Sequence, residues 1–96
     1  MFYRFMVSDA FYEQIKLHIL SKLVDMRCWM GKHTNINNMQ KGLPGHARDS
    51  NVISKVVKAL MQQAWILGKP THYGLELSLN IKMKKDIEQY IDSKMP

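Results

Sequence analysis

The chain has little cysteine and no long apolar run, and both absences exclude classes of protein. Its 96 residues include a single cysteine, Cys28, which excludes an intramolecular disulfide framework and favours a reducing compartment. No stretch approaches the roughly 18 apolar residues of a membrane span, and the first residues include Arg4 and lack a signal-peptide core. We therefore expect a cytoplasmic protein without a membrane segment, folded as one domain over residues 1–96.

Sequence patterns for metal binding and catalysis are also lacking. Structural zinc sites use paired ligands roughly two to four residues apart. The candidate ligands show no such pair; they are His18, His33, His46, His72 and Cys28. The chain also has no carboxylate pair, nucleophile elbow or glycine-rich phosphate loop. We therefore expect no enzyme activity, no metal and no cofactor.

Positive charge is the feature that the composition does have in excess. Fourteen Lys and Arg residues face eight Asp and Glu residues, so the formal net charge is +6. Excess positive charge raises the local affinity for polyanions such as nucleic acid or an acidic membrane surface. A solvated basic surface without a ligand is the alternative that composition alone leaves open.

Caps and apolar periodicity predict four helices, near residues 8–26, 35–41, 50–63 and 80–93. In the first helix, apolar residues recur every four positions from Phe11 to Leu23. Thr34 or Asn35 can cap the short second helix, and Gly42 is placed to end it. Asp49 or Ser50 can then cap the third helix.

The third predicted helix divides into an apolar face and a polar face. The apolar face comprises Ile53, Val56, Val57, Leu60 and Ala64, with Met61 at the border. The polar face comprises Ser50, Asn51, Ser54, Lys55, Lys58 and Gln62. Asn and Gln can pair with adenine edges, while Lys and Ser can contact phosphates. The alternative is an ordinary solvated helix face.

A β-hairpin is predicted after this helix, spanning Lys69 to Leu75. Turn residues from Gly68 to Gly74 include Pro70, and beyond them leucines alternate with Glu76 and Ser78, as in a half-buried strand. Candidate contact residues at the hairpin tip are Lys69, Thr71, His72 and Tyr73. Their alternative role is turn geometry, with Tyr73 packing locally.

The order of helix, turn, helix and hairpin over residues 34–80 resembles the winged helix-turn-helix superfamily. The pattern is similar to that of small uncharacterised archaeal proteins at Lys69-Pro70-Thr71, Tyr73-Gly74 and Ser78-Leu79-Asn80. The resemblance implies a mainly α fold with a small β-hairpin, a recognition helix from Ser50 to Gln63, and a wing around the hairpin. The long connection from Gly42 to Asp49 and the absence of arginine from the recognition face depart from the usual pattern.

The resemblance and the charge predict a regulator of transcription that binds double-stranded DNA without catalysis. A winged-helix adaptor that binds another protein is the alternative. A continuous basic patch over the third helix and hairpin favours DNA, whereas an exposed apolar patch there favours a protein partner. We also expect a homodimer, because the terminal segments carry much apolar surface; the residues are Phe2, Phe5, Met83, Ile87, Tyr90 and Ile91.

Overall fold

In a computed structural model that describes residues 9–95, the chain forms three α helices and a three-stranded antiparallel sheet. The elements are α1 (Asp9–Asp25), β1 (Thr34–Asn35), α2 (Ser50–Gln62), β2 (Ile66–Thr71), β3 (Gly74–Leu79) and α3 (Lys84–Lys94). The strand order is β1-β3-β2, so β3 is central and β2 lies at an edge. The predicted combination of helices with a β-hairpin is confirmed, while β1 is not among the predicted elements.

The second predicted helix is a short 3-10 helix, Ile36–Gln40, rather than an α helix. Its start is as expected, because the Asn35 side chain accepts a hydrogen bond from the backbone of Asn37. A segment of five residues that is rich in Asn is too short and too poor in helix formers for a stable α helix. The two residues before the 3-10 helix form β1, in which Thr34 pairs with Leu77 and Asn35 pairs with Glu76 of β3.

The hydrophobic core lies between the helices and the inner face of the sheet. Helix α1 contributes four fully buried side chains, Ile15, Ile19, Leu20 and Leu23. Leu77 and Leu79 contribute from β3, as their alternation predicts. No helix within residues 9–95 has the length and apolar character needed to cross a bilayer.

Helix α2 buries one continuous face and is followed by a residue in the left-handed backbone conformation. Its buried side chains are Val52, Ile53, Val56, Val57 and Leu60. The prediction that Ala64 shares this face is wrong: Ala64 is exposed, follows the helix and has a φ of 63°. Its N–H donates to Met61, and the N–H of Trp65 donates to Leu60, which is the Schellman arrangement that usually places glycine at this position.

Helix α3 begins at Lys84, after a 3-10 turn at Ile81–Met83, and packs against α1. The Tyr90 hydroxyl donates to the Glu13 carboxylate at 2.5 Å, and the Tyr90 ring meets Trp65 edge-on, with 5.9 Å between ring centroids. Burial and then the bond to Glu13 raise the pKa of the Tyr90 phenol, so the hydroxyl keeps the proton that it donates. Ile87 is 0% exposed within the monomer, so the expectation that it supplies dimer surface is wrong.

The end of β3 is flanked on both sides, by β2 and by residues 28–30. The N–H of Leu79 donates to Cys28, and the N–H of Met30 donates to Leu79. Ser78 in this strand is only 2% exposed, although the alternation predicts a solvent-facing side chain. Cys28 is buried, as expected of a small core residue, and burial raises the pKa of its thiol.

Leu60→Ala should lower the free energy of unfolding by about 2–5 kcal/mol, because Leu60 is 1% exposed at the centre of the buried face of α2. Urea denaturation measures the change. Exposed Lys58, two residues earlier, is the matched control, and its replacement by Ala should change stability by less than about 0.5 kcal/mol. Equal stability of the two variants would contradict the assigned inner face.

Ala64→Gly should raise the free energy of unfolding by up to about 1 kcal/mol, because glycine adopts the left-handed conformation without the steric penalty of a Cβ. Ala59→Gly, inside the same helix, should instead lower it by about 1 kcal/mol. Denaturation curves of the two variants therefore shift in opposite directions. A loss of stability in both would show that the helix end is not constrained in this way.

Candidate nucleic-acid interface

The start of α2 is set by Asp49, whose carboxylate caps the helix. It accepts the backbone N–H of Asn51 at 2.9 Å and that of Val52 at 3.3 Å. These are two of the N–H groups that a helix start otherwise leaves unpaired. The cap sets the first helical residue at Ser50, as predicted.

The six polar residues predicted on this helix do share its outer face. An α helix turns by about 100° per residue, which places these six residues within an arc of about 140°. The buried residues occupy the opposite arc. The outward residues are Ser50, Asn51, Ser54, Lys55, Lys58 and Gln62, all exposed except the half-buried Ser54. The predicted polar face is therefore present and accessible to a partner.

The hairpin tip is a defined turn that holds Tyr73 in solvent. The Thr71 hydroxyl accepts the N–H of Tyr73 at 3.1 Å and donates to the carbonyl of Gly74 at 3.0 Å. Gly74 has a φ of 108°, which glycine adopts without steric penalty. Tyr73 is 85% exposed, so local packing of its ring is excluded. Lys69 and His72 are exposed beside it.

Asn35 joins the hairpin tip to the rest of the protein, a role that the sequence reasoning missed. Its Nδ2 donates to the carbonyl of Tyr73 at 2.7 Å and to the carboxylate of Glu76 at 2.9 Å. The sequence indicates Asn35 only as a helix cap, because a contact across 38 positions has no local signal.

The hairpin runs beside the outer face of α2. Met61 lies at the border of that face, between the buried residues and the polar ones. A Cβ on Gly68 would stand 2.6 Å from the Met61 terminal methyl, so the backbone of β2 approaches the helix closely at this point. The two groups of predicted contact residues therefore belong to neighbouring elements rather than to distant parts of the fold.

Two side chains, one from the connection and one from α1, hold the segment before α2 in place. Arg48 donates through Nε to the carbonyl of Leu43 at 2.8 Å, and a ring nitrogen of His18 donates to the carbonyl of Met39 at 2.9 Å. Lys41 and His46 are exposed. Among residues 9–95 no group of three or more His, Cys, Asp or Glu side chains could hold a metal ion.

The positive charge is concentrated in one segment of the chain. Residues 26–75 contain seven Lys or Arg and one carboxylate, Asp49, which is a net charge of +6. The other described residues contain six basic and seven acidic side chains, a net charge of −1. The single carboxylate of the basic segment is engaged in capping α2. All ten predicted contact residues therefore lie in the part of the chain that carries the excess charge.

Comparison with known proteins adds no relationship to these observations. Neither the protein-family models nor the curated proteins nor the solved structures contain a match to this chain.

Proposed function

We propose that the protein is a winged-helix domain that binds double-stranded DNA, with α2 as the recognition helix and the β2–β3 hairpin as the wing. The observation that carries this proposal is the net charge of +6 in residues 26–75, the segment that contains both elements. A basic face on a helix with an adjacent hairpin matches the electrostatic and steric needs of a duplex partner. The protein would act in the cytoplasm as a regulator of transcription.

The dimensions of both elements suit a duplex. Helix α2 has 13 residues and is about 20 Å long. A B-DNA major groove about 12 Å wide admits such a helix. The tip residue Tyr73 follows Gly68 by five residues, which is about 17 Å of extended strand. The hairpin can thus reach the sugar-phosphate backbone next to the groove that α2 enters.

Binding would proceed without chemistry and mainly through phosphates. Lys55, Lys58 and Lys69 would neutralise phosphate oxygens and release counterions. The amides of Asn51 and Gln62 would pair with adenine edges in the groove. Because the outer face of α2 has no arginine, the side chain that most often reads guanine, the electrostatic contribution to affinity would dominate.

The distribution of exposed apolar residues favours DNA over the adaptor alternative. Within residues 9–95 the exposed large apolar side chains are Met30, Leu67, Tyr73, Ile81 and Met95. None of them lies on α2, whose outer face offers polar and cationic groups with half-buried Met61 at its border. Leu67 and Tyr73 do lie on the hairpin, but near opposite ends of β2, so they do not form one apolar patch with the helix. A protein partner would require an apolar patch at this position.

Replacing both Lys55 and Lys58 by Ala should weaken binding to random-sequence duplex DNA. Both side chains are exposed on the outer face of α2, so the free energy of unfolding should stay nearly constant. The dependence of log K on log salt should become shallower by about 0.9 for each phosphate that the variant no longer neutralises. Fluorescence anisotropy across a salt series measures both the affinity and its salt dependence.

The matched control replaces Lys84 and Lys85 by Ala, because they are also exposed but belong to α3. This variant loses the same formal charge outside the proposed interface. Equal losses of affinity in the two double variants would indicate attraction by net charge alone and contradict the proposed interface. A wild type that fails to bind at low salt would support the adaptor alternative.

Homodimerisation through the terminal helices is part of the proposal, although Ile87 is buried in the monomer. Three of the predicted interface residues are half-buried on α3 and the turn before it: Met83, Tyr90 and Ile91. The other two, Phe2 and Phe5, lie outside the described residues. A two-fold dimer would space two recognition helices by roughly 34 Å, one turn of DNA. Light scattering at micromolar concentration should give twice 11.2 kDa, and a concentration-independent mass of 11.2 kDa would contradict the dimer.

A further inference from the structure

The side chain of Asn35 uses both of its amide N–H groups and its carbonyl oxygen to connect three parts of the fold. Its Oδ1 accepts the backbone N–H of Asn37 at 2.9 Å, at the start of the 3-10 helix Ile36–Gln40. Its Nδ2 has two N–H groups, one for the Tyr73 carbonyl and one for the Glu76 carboxylate. An aspartate of the same shape could make only the first of these bonds.

The hairpin tip needs such a connection, because β1 supports only part of β3. β1 pairs with Leu77 and Glu76, and beyond them the hairpin is a two-stranded ribbon. A two-stranded ribbon is marginally stable by itself in water. The bond from Asn35 to the Tyr73 carbonyl attaches the tip to β1 at the point where strand pairing has ended.

The same residue is linked to the support of α2. The 3-10 helix that follows Asn35 buries Met39 in the core and contacts α2. Asn35 therefore lies between one of the elements that pack against α2 and the tip that presents Tyr73.

We propose that Asn35 is a positioning residue for DNA binding: it holds the hairpin tip in the orientation in which the tip and α2 contact one duplex together. This inference rests on the proposed function. Holding an exposed tip in one conformation before binding reduces the conformational entropy cost of binding. The affinity of the whole interface thus depends on a side chain that need not touch DNA.

The decisive variant combines Asn35→Asp with Glu76→Gln. The new carboxylate still accepts the Asn37 N–H, and the amide introduced at position 76 can donate to it. The bond to the Tyr73 carbonyl is removed, because a carboxylate has no hydrogen to donate. The double variant has the same net charge as the wild type, so electrostatic attraction to DNA is matched. Glu76→Gln alone is the control, since its carbonyl still accepts from Asn35.

Backbone ¹⁵N heteronuclear NOEs, thermal unfolding and anisotropy titration with random-sequence duplex DNA together test the inference. In the double variant we expect lower NOE values at His72, Tyr73 and Gly74, with a Tm lowered by no more than the few degrees that one hydrogen bond contributes. We expect about fivefold weaker DNA binding, the size of effect that follows from one hydrogen bond. The Glu76→Gln control should keep its ordered tip and should not lose affinity.

Each contrary outcome has a separate meaning. Unchanged NOE values in the double variant would show that Asn35 does not order the tip, and this overturns the inference. A mobile tip with unchanged DNA affinity would give Asn35 a structural role only, and this also overturns it. A wild type that does not bind duplex DNA would overturn the proposed function and the positioning role with it.

Discussion

Burial of one face of α2 is the interaction on which the rest of the molecule depends. Four of its five buried residues are β-branched, and such residues are poor helix formers when they are not packed. The helix is therefore held by contact with α1 and β2 rather than by its own propensity. Since the apolar face is fixed against the core, the polar face is fixed toward solvent. The same packing that stabilises the fold orients the proposed DNA contacts.

The sequence predicts the elements of the fold that depend on residues close together in the chain. The apolar repeat of α1, the cap at Asp49 and the existence of the hairpin each depend on residues close together in the chain. The predicted turn from Gly68 to Gly74 is too long, because Gly68 to Thr71 pair with β3 and only His72 and Tyr73 form the turn. The pairing of β1 with β3 could not be predicted, because Thr34 and Asn35 are polar and their partners are some 40 positions away. The left-handed conformation of Ala64 has no sequence signal either, since glycine is the usual residue at such a helix end.

In the candidate site, too, the features set by local sequence could be predicted and those set by distant contacts could not. The outward residues of α2 could be assigned from helical periodicity alone, because the buried and polar positions separate fully around the helix axis. The connection through Asn35 could not be assigned, since its amide meets Tyr73 only after the chain has folded. Carboxylates within and next to the basic segment are both engaged, Asp49 in the cap of α2 and Glu76 with Asn35.

The position of β2 at the edge of the sheet has a consequence for aggregation. An exposed strand edge offers unpaired N–H and C=O groups to other chains, which promotes association between sheets. The Asn80 N–H donates to the carbonyl of Trp65 across the β2–β3 pair. Hydrogen-bonded residues alternate along an antiparallel strand, so Pro70, five positions after Trp65, directs its nitrogen toward the open edge. Proline has no hydrogen there, and Lys69 adds a charge that repels a second copy. A hairpin that must remain exposed to reach a partner is thereby a poor template for fibres.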